Sequence, residues 1–371
     1  MADLACRDDL KQGAAMTKKI MFFTTGMTAG GAERVIATLA NALDARGFDV
    51  VIAMIKGQES AYDLAPGVLL RSANLSPGLE NVASAIGFYR GLIRVESPDV
   101  IASLSTKSDI IALVSKLLFH TRGKLIVSDR ADPYTRNRRM QLACNFLYRW
   151  ADALVCQSRS VADYYHRKCK RARVTVIPNP LNTDSITEPL RGARSPLVIS
   201  VGRLSQQKNH RLAIGAFAQL RQSFPDLAMK IFGSGPLQQE LAELITREGL
   251  EGVVTLEGVI PDVVRQNADA ALFLFTSTHE GYPNALMEAA ASGIPAVTTD
   301  FSPGTAREII DDGINGYIVP SGNQQAVAEA AGKVLSGELQ PDAVNEAAAG
   351  VRERHRTDRI VDAWLTVFDA A

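Results

Sequence analysis

Two successive series of short apolar runs, each run followed by a helical stretch, constrain this chain more than any other feature. "KKIMFFTT", "FDVVIAMI", "DVIASL", "KLIVSD" and "ALVCQS" are apolar without alternation, which marks strands buried on both faces. Between them "AERVIATLANALDARG" places Val35, Ile36, Leu39, Ala40 and Leu43 at helical spacing and stops at Gly47. Stretches 108–119 and 138–150 also read as helices. The pattern breaks over 174–196, "VTVIPNPLNTDSITEPLRGARSP", which reads as a linker, and then restarts. "PLVISVGRL", "LAMKIFGSGP", "VVTLEGVI", "AALFLFTST" and "PAVTTD" are the second set of strands. Helices "NHRLAIGAFAQLRQSF" and "LQQELAELITREG" separate them, with a short one after "GVIPD". The expected fold class is α/β, with two doubly wound Rossmann-like domains and a cleft between them. A polar leader is expected over 1–17, one domain over 18–185 and a second over 186–355.

The chain has 371 residues, enough for two such cores. Its 46% apolar and 22% charged residues are those of a globular protein. No apolar run approaches the roughly 18–20 residues that span a bilayer. "MADLACRDDLKQGAAM" is too polar for a secretory signal, and Met16 is a candidate start. Four cysteines without C-x-x-C spacing suit a reducing cytoplasm. The zero net charge hides an asymmetry: residues 1–185 carry 25 Lys and Arg against 17 Asp and Glu, and 121–175 alone carry 13 against 4. Such a region favours phospholipid headgroups, a lipid-linked pyrophosphate or nucleic acid, or is simply a solvated basic face.

Open parallel sheets bind ligands beyond the carboxyl ends of their strands. In the second half those ends carry Arg203 and Lys208, whose two cations suit a pyrophosphate. "GSGP", beginning at Gly233, allows close backbone approach. Glu280 follows a strand, and Pro283 is placed for the first turn of the helix "NALMEAAASG", which carries Glu288. The helix N-terminus near Gly281, Tyr282, Pro283 and Asn284 presents N–H groups to phosphate. Paired carboxylates also serve hydrolysis, but a hydrolase has no use for the Arg and Lys pair. D-x-D, H-E-x-x-H and Cys/His clusters are absent, so no metal ligands are expected. In the first half Gly30 and Gly31 open a helix, and "GMTAGGAE" does not match G-x-G-x-x-G, which disfavours a dinucleotide. "RADPYTRNRR", following Asp129, is a candidate acceptor edge.

Together "GGAERV", "VGRLSQQKN", "GSGP" and "HEGYPNALMEAAASGIPAV" resemble glycosyltransferase family 4, retaining enzymes of the GT-B fold. "GGAERV" with "SDRADP" is most similar to bacterial transferases of capsule, exopolysaccharide or O-antigen assembly. The resemblance implies a metal-independent hexosyltransferase without a cofactor, using a nucleotide sugar, with UDP favoured, as substrate. Arg203 and Lys208 would then bind the donor diphosphate, Glu280 the donor sugar and Glu288 the ribose. Val259 would lie against the base, and Gly233, Gly281, Tyr282, Pro283 and Asn284 along the donor. Gly30 and Gly31 would close over it from the first domain. The family's cleft histidine is replaced here by Asp129 and Arg130, which are assigned to acceptor binding. Residues 356–371 would form a helix crossing back to the first domain. A glycan or polyprenyl-diphosphate-linked acceptor, a cytoplasmic location and a peripheral contact of 121–175 with anionic membrane are expected, and no nucleic acid. A sugar-nucleotide epimerase and a non-catalytic, sugar-nucleotide-binding regulatory subunit are the alternatives.

Overall fold

The computed structural model describes residues 18–28, 30–75 and 81–370; the leader expected over 1–17 lies outside them. The first unit runs β1 (Lys19–Thr24), α1 (Gly31–Ala45), β2 (Asp49–Met54), β3 (Leu69–Ser72), α2 (Asn81–Glu96) and β4 (Val100–Ser103). It continues through α3 (Thr106–Phe119), β5 (Lys124–Asp129), α4 (Arg138–Leu147), β6 (Ala153–Cys156), α5 (Arg159–Lys168) and β7 (Val174–Val176). Its strands form one parallel sheet in the order β3-β2-β1-β4-β5-β6-β7. The unbroken apolar runs are explained by helices on both faces. Ile20 and Phe22 of β1 enter one core, whereas Met21 and Phe23 enter the core on the opposite side.

The second unit runs β8 (Ser195–Val201), α6 (His210–Leu220), β9 (Ala228–Phe232), α7 (Gln238–Arg247), β10 (Val254–Gly258) and α8 (Val263–Gln266). Then follow β11 (Ala270–Phe275), α9 (Asn284–Ala291), β12 (Ala296–Thr299), β13 (Gly316–Val319), α10 (Gln324–Leu335) and α11 (Pro341–Arg354). Its parallel sheet has the order β10-β9-β8-β11-β12-β13. The winding reverses between β8 and β11, so the loops leaving those two strands flank the crevice of the second unit.

One boundary differs from the sequence reading. Residues 174–176, read as the start of the linker, form β7, the edge strand beside β6. Three residues followed at once by Ile-Pro give too short a run for a periodic signal.

The last helix, α12 (Thr357–Ala370), leaves the second unit and lies on α1. Ile360, Val361, Trp364, Val367 and Phe368 recur at helical spacing and join the core of the first unit. Its carboxyl end is held by cations. Lys18 donates to the Phe368 carbonyl at 3.0 Å, Lys124 to that of Asp369 at 3.0 Å and Arg173 to that of Ala370 at 3.1 Å.

Candidate functional site

The two loops flanking the second crevice are joined to each other. Thr278 N donates to the Gln207 carbonyl at 2.8 Å, and Gln207 Nε2 donates to the His279 carbonyl at 2.8 Å. This pairing brings Lys208, from the loop after β8, to Glu280, from the loop after β11. Lys208 Nζ donates to Glu280 Oε1 at 2.6 Å. The lysine stem is laid over Gly202, where a Cβ would fall about 3.0 Å from it, and its ammonium lies 5.0 Å from the centre of the Phe275 ring. Arg203, on the same loop, is exposed, and its guanidinium has no protein partner among the described residues. A buried carboxylate held by a lysine therefore lies beside an arginine free to meet an anion.

α9 begins at the same edge. Its N-cap is Pro283, which has no side-chain acceptor, so no side chain claims the first-turn N–H groups. Pro283 thus precedes the first turn, where the sequence reading had put it inside. Glu288 sits in the second turn, buried, and Arg34 of α1 donates to its Oε1 from the other unit. Burial pushes the Glu288 carboxyl up to about 7 against the pull of Arg34. Arg34 also donates to Ser185 Oγ at 2.9 Å. That hydroxyl accepts from Asn182 Nδ2 at 2.8 Å and donates to Asp262 Oδ1 at 2.9 Å. Val259, expected at the base, is 72% exposed three residues before Asp262.

The glycines of the site are explained chiefly by backbone crowding. Gly233 has φ +139°, and a Cβ there would fall 2.0 Å from the Gly202 carbonyl oxygen. "GSGP" therefore packs against the loop carrying Arg203 and Lys208. Gly281 makes the corresponding approach between the two units: a Cβ would fall 2.3 Å from the Arg130 carbonyl oxygen and 2.9 Å from Gln157 Oε1. Gly31 faces Asn284, whose Oδ1 accepts from Asn179 Nδ2 at 2.6 Å. The Gly30 carbonyl accepts from the Tyr62 hydroxyl at 2.8 Å. Tyr282, expected along the donor, turns its hydroxyl away to donate to His355 Nε2 at 3.0 Å, while His355 Nδ1 donates to the Asn179 carbonyl at 2.9 Å.

On the first unit's edge, Asp129 departs from its expected acceptor role. Its carboxylate is buried inside the unit, with Arg136 donating to one oxygen and the Tyr165 hydroxyl to the other. An aspartate at a strand end followed by four arginines within ten residues looked exposed in sequence, but its arginine partner is seven residues on and its tyrosine partner 36. Arg130 does reach the seam between the units. It donates to Asn179 Oδ1, while its Nε and Nη2 are buried without a hydrogen-bond partner. Burial lowers its guanidinium to about 9. A cavity of about 410 Å³ opens at the same edge, lined by Thr25, Thr28, Glu33, Lys56, Ser105 and Lys107. Among the described residues no three His, Cys, Asp or Glu side chains are grouped to hold a metal.

Arg34, Ser185 and Asp262 were not singled out in sequence. The one signal for Arg34 was its place three residues after Gly31, in the first turn of α1 at the cleft edge.

Two family models match the chain in tandem: Glycosyltransferase Family 4 over residues 29–185 and Glycosyl transferases group 1 over 183–351. A relative from Campylobacter jejuni is N-acetylgalactosamine-N,N′-diacetylbacillosaminyl-diphospho-undecaprenol 4-alpha-N-acetylgalactosaminyltransferase. It is 28% identical, over 84% of this chain and 88% of its own. The lipopolysaccharide core biosynthesis glycosyltransferase LpsE of Rhizobium meliloti is 27% identical over 83% and 86% of the two chains. Among solved structures, Anabaena HepE in complex with UDP and glucose matches with TM-score 0.76 at 20% identity, covering 95% of this chain and all of that one. Sucrose-phosphate synthase from Thermosynechococcus elongatus matches with TM-score 0.80 at 17% identity and the same coverage. With both halves matched in order and the two-sheet architecture shared, the chain belongs to glycosyltransferase family 4, as a glycosyltransferase of GT-B fold.

Proposed function

We propose that this protein transfers a hexosyl group from a nucleotide diphosphate sugar, with UDP the favoured carrier, to a hydroxyl of a glycan or polyprenyl-diphosphate-linked acceptor in surface-polysaccharide synthesis. The observation that carries this reading is the convergence of Lys208, Glu280, Glu288 and the uncapped start of α9 on one crevice facing the other unit. The diphospho-undecaprenol acceptor in the name of the Campylobacter relative and the UDP bound by the Anabaena structure support the substrate classes.

In this reaction the bond from the anomeric carbon to the leaving phosphate oxygen breaks, and a bond to the acceptor oxygen forms on the same face. The acceptor proton passes to the leaving phosphate oxygen, so configuration is retained without a carboxylate base. Negative charge grows on the diphosphate, where Arg203, Lys208 and the α9 N–H groups stabilise it. Those groups take the place of a metal, and no cofactor takes part. Glu280 accepts from the sugar hydroxyls and Glu288 from the ribose. Arg130, at the seam between the units, is the acceptor-side residue in this reading.

The test has two arms. Thermal shift over UDP-, GDP-, ADP- and dTDP-sugars identifies the donor. Transfer to an undecaprenyl-diphosphate glycan, with and without EDTA, is then followed by NMR of the new anomeric centre. Failure to release nucleotide with any donor and such acceptors, or an inverted product, sinks the reading.

The basic first unit suits an acceptor held in a membrane. No helix among the described residues is long and apolar enough to cross one. α4, however, exposes Leu142 (59%) and Phe146 (53%) at helical spacing from Arg138, and in the turn that follows it the Arg149 guanidinium lies 4.8 Å from the Phe146 ring centre. Apolar residues flanked by arginines fit a peripheral contact with anionic lipid on the cytoplasmic face. Flotation with phosphatidylglycerol vesicles, abolished by Leu142→Asp with Phe146→Asp and absent with phosphatidylcholine, is the expected result. Equal flotation with both lipids counts against it.

A further inference from the structure

Four segments far apart in the chain meet at Arg34. Its guanidinium, on α1 of the first unit, donates to Glu288 of α9 and to Ser185 of the connecting segment. Ser185 in turn donates to Asp262, in the loop between β10 and α8. Every hydrogen-bonding position of the Ser185 hydroxyl is filled, by Arg34, Asn182 and Asp262, so the serine is a fixed post and not a rotor. Arg34 is half-buried and Glu288 buried. Glu288 Oε1 is taken by Arg34, and Oε2 has no hydrogen-bond partner among the described residues. One oxygen is thus held from across the cleft, and the other is left for a ligand. A carboxyl this buried stays ionised and in one rotamer only with a cation beside it.

We infer that Arg34 is a positioning residue for the ribose of the donor. It acts through Glu288, holding that carboxylate charged and aimed, so the hydroxyls are read only when the first unit sits against the second. This rests on the reading of Glu288 as the ribose acceptor and adds a residue from the opposite domain to it. Both side-chain hydrogen bonds of Arg34 go to protein, to Glu288 and Ser185, so in this inference it acts on the nucleotide only through Glu288. Its loss therefore removes discrimination at the ribose while diphosphate and base contacts persist. An arginine serving only to join the domains would instead weaken every nucleotide alike.

The experiment uses the full chain and compares each ribonucleoside diphosphate with its 2′,3′-dideoxy analogue by calorimetry. The pair is built on whichever of UDP, GDP, CDP and ADP binds wild type best. Wild type is expected to prefer the ribo form about 10-fold or more, as for loss of a charge-assisted hydrogen bond. In Arg34→Ala the ratio falls to within about 2-fold with dideoxy binding unchanged, which also reports that the protein is folded, and Arg34→Lys restores part of it. Arg34→Ala keeping the wild-type ratio, or losing both ligands equally, overturns the inference. Glu288→Gln separates the two failures. If it abolishes the preference and Arg34→Ala does not, the ribose reading stands and the role of Arg34 falls. If wild type shows no preference, or binds none of the four, the ribose reading itself falls.

Discussion

Lys208 and Glu280, 72 residues apart, form an ion pair at 2.6 Å in the crevice of the second unit, while Arg203 on the same loop as Lys208 has no protein partner among the described residues. The two cations therefore contribute differently. Lys208→Ala leaves a buried carboxylate unpaired, so it is expected to lower both turnover, by roughly 100-fold or more, and melting temperature. Arg203→Ala is expected to lower turnover to a similar degree and leave melting unchanged. Initial rates and calorimetric scans on the two variants check this, and wild-type turnover in both would remove them from the diphosphate site.

Gly281 has no room for a methyl group, because the Arg130 carbonyl of the other unit occupies that space. Gly281→Ala must push the two units apart at the seam. Each unit keeps its own core, so unfolding is expected near wild type, while kcat/KM falls roughly 10-fold or more through misplacement of the reacting groups. Small-angle scattering is expected to show a more open particle. Unchanged kinetics would mean that catalysis uses a wider arrangement of the units.

Glu288 binds its proton more tightly when folded than unfolded, since burial lifts its carboxyl from 4.5 to about 7. Folding stability from this group therefore falls as pH rises from about 4.5 through 7, whereas ribose binding needs the carboxylate and strengthens over the last part of that range. Arg34 and Asp262 are the charged groups facing it. Affinity for UDP-glucose, whose diphosphate is fully ionised throughout, is expected to drop on going from pH 8 to pH 6. Glu288→Gln should flatten that dependence. A wild-type profile level over this range would sink the assignment.

His210 and His355 are buried and neutral, each with its pKa lowered to about 4 chiefly by burial. His210 lies between Ser200 and the Gly202 carbonyl, and His355 between Tyr282 and the connecting segment at Asn179. Because the unfolded chain takes up these protons near 6.5, stability is lost as pH falls through 6.5 towards 4. The loss is roughly 2 kcal/mol for each histidine between pH 7 and pH 5. Because Glu288 gains stability over the same range, the check is a difference: in urea unfolding at the two pH values His355→Asn is expected to lose about 2 kcal/mol less than wild type.

These expectations draw on parts of the molecule that were unequally legible. β1 and β11 could be read because they are buried on both faces and carry unbroken apolar runs, Ile20 to Phe23 and Ala270 to Phe275. β3 ("LLRS") and β13 ("GYIV") are four residues long and mixed in character, and they went unseen. Lys208 and Glu280 stood out because each lies a few residues beyond a strand end, where the topology puts ligands, and Glu288 because it follows on the helix that starts at the same edge. Arg34 did not, because its meaning depends on Glu288, 254 residues away. Asp129 misled for the same reason, since a strand-end carboxylate looks free until the tyrosine that covers it is known.

The placement of α12 makes folding order a property of the whole polypeptide. Ile360, Val361, Trp364, Val367 and Phe368 complete a core whose other buried members lie within the first 180 residues, so the earliest domain to leave the ribosome lacks its lid until synthesis ends. The first unit thus becomes fully formed only once the second has been made, and a chain cut short before Thr357 lacks the helix that completes the first core.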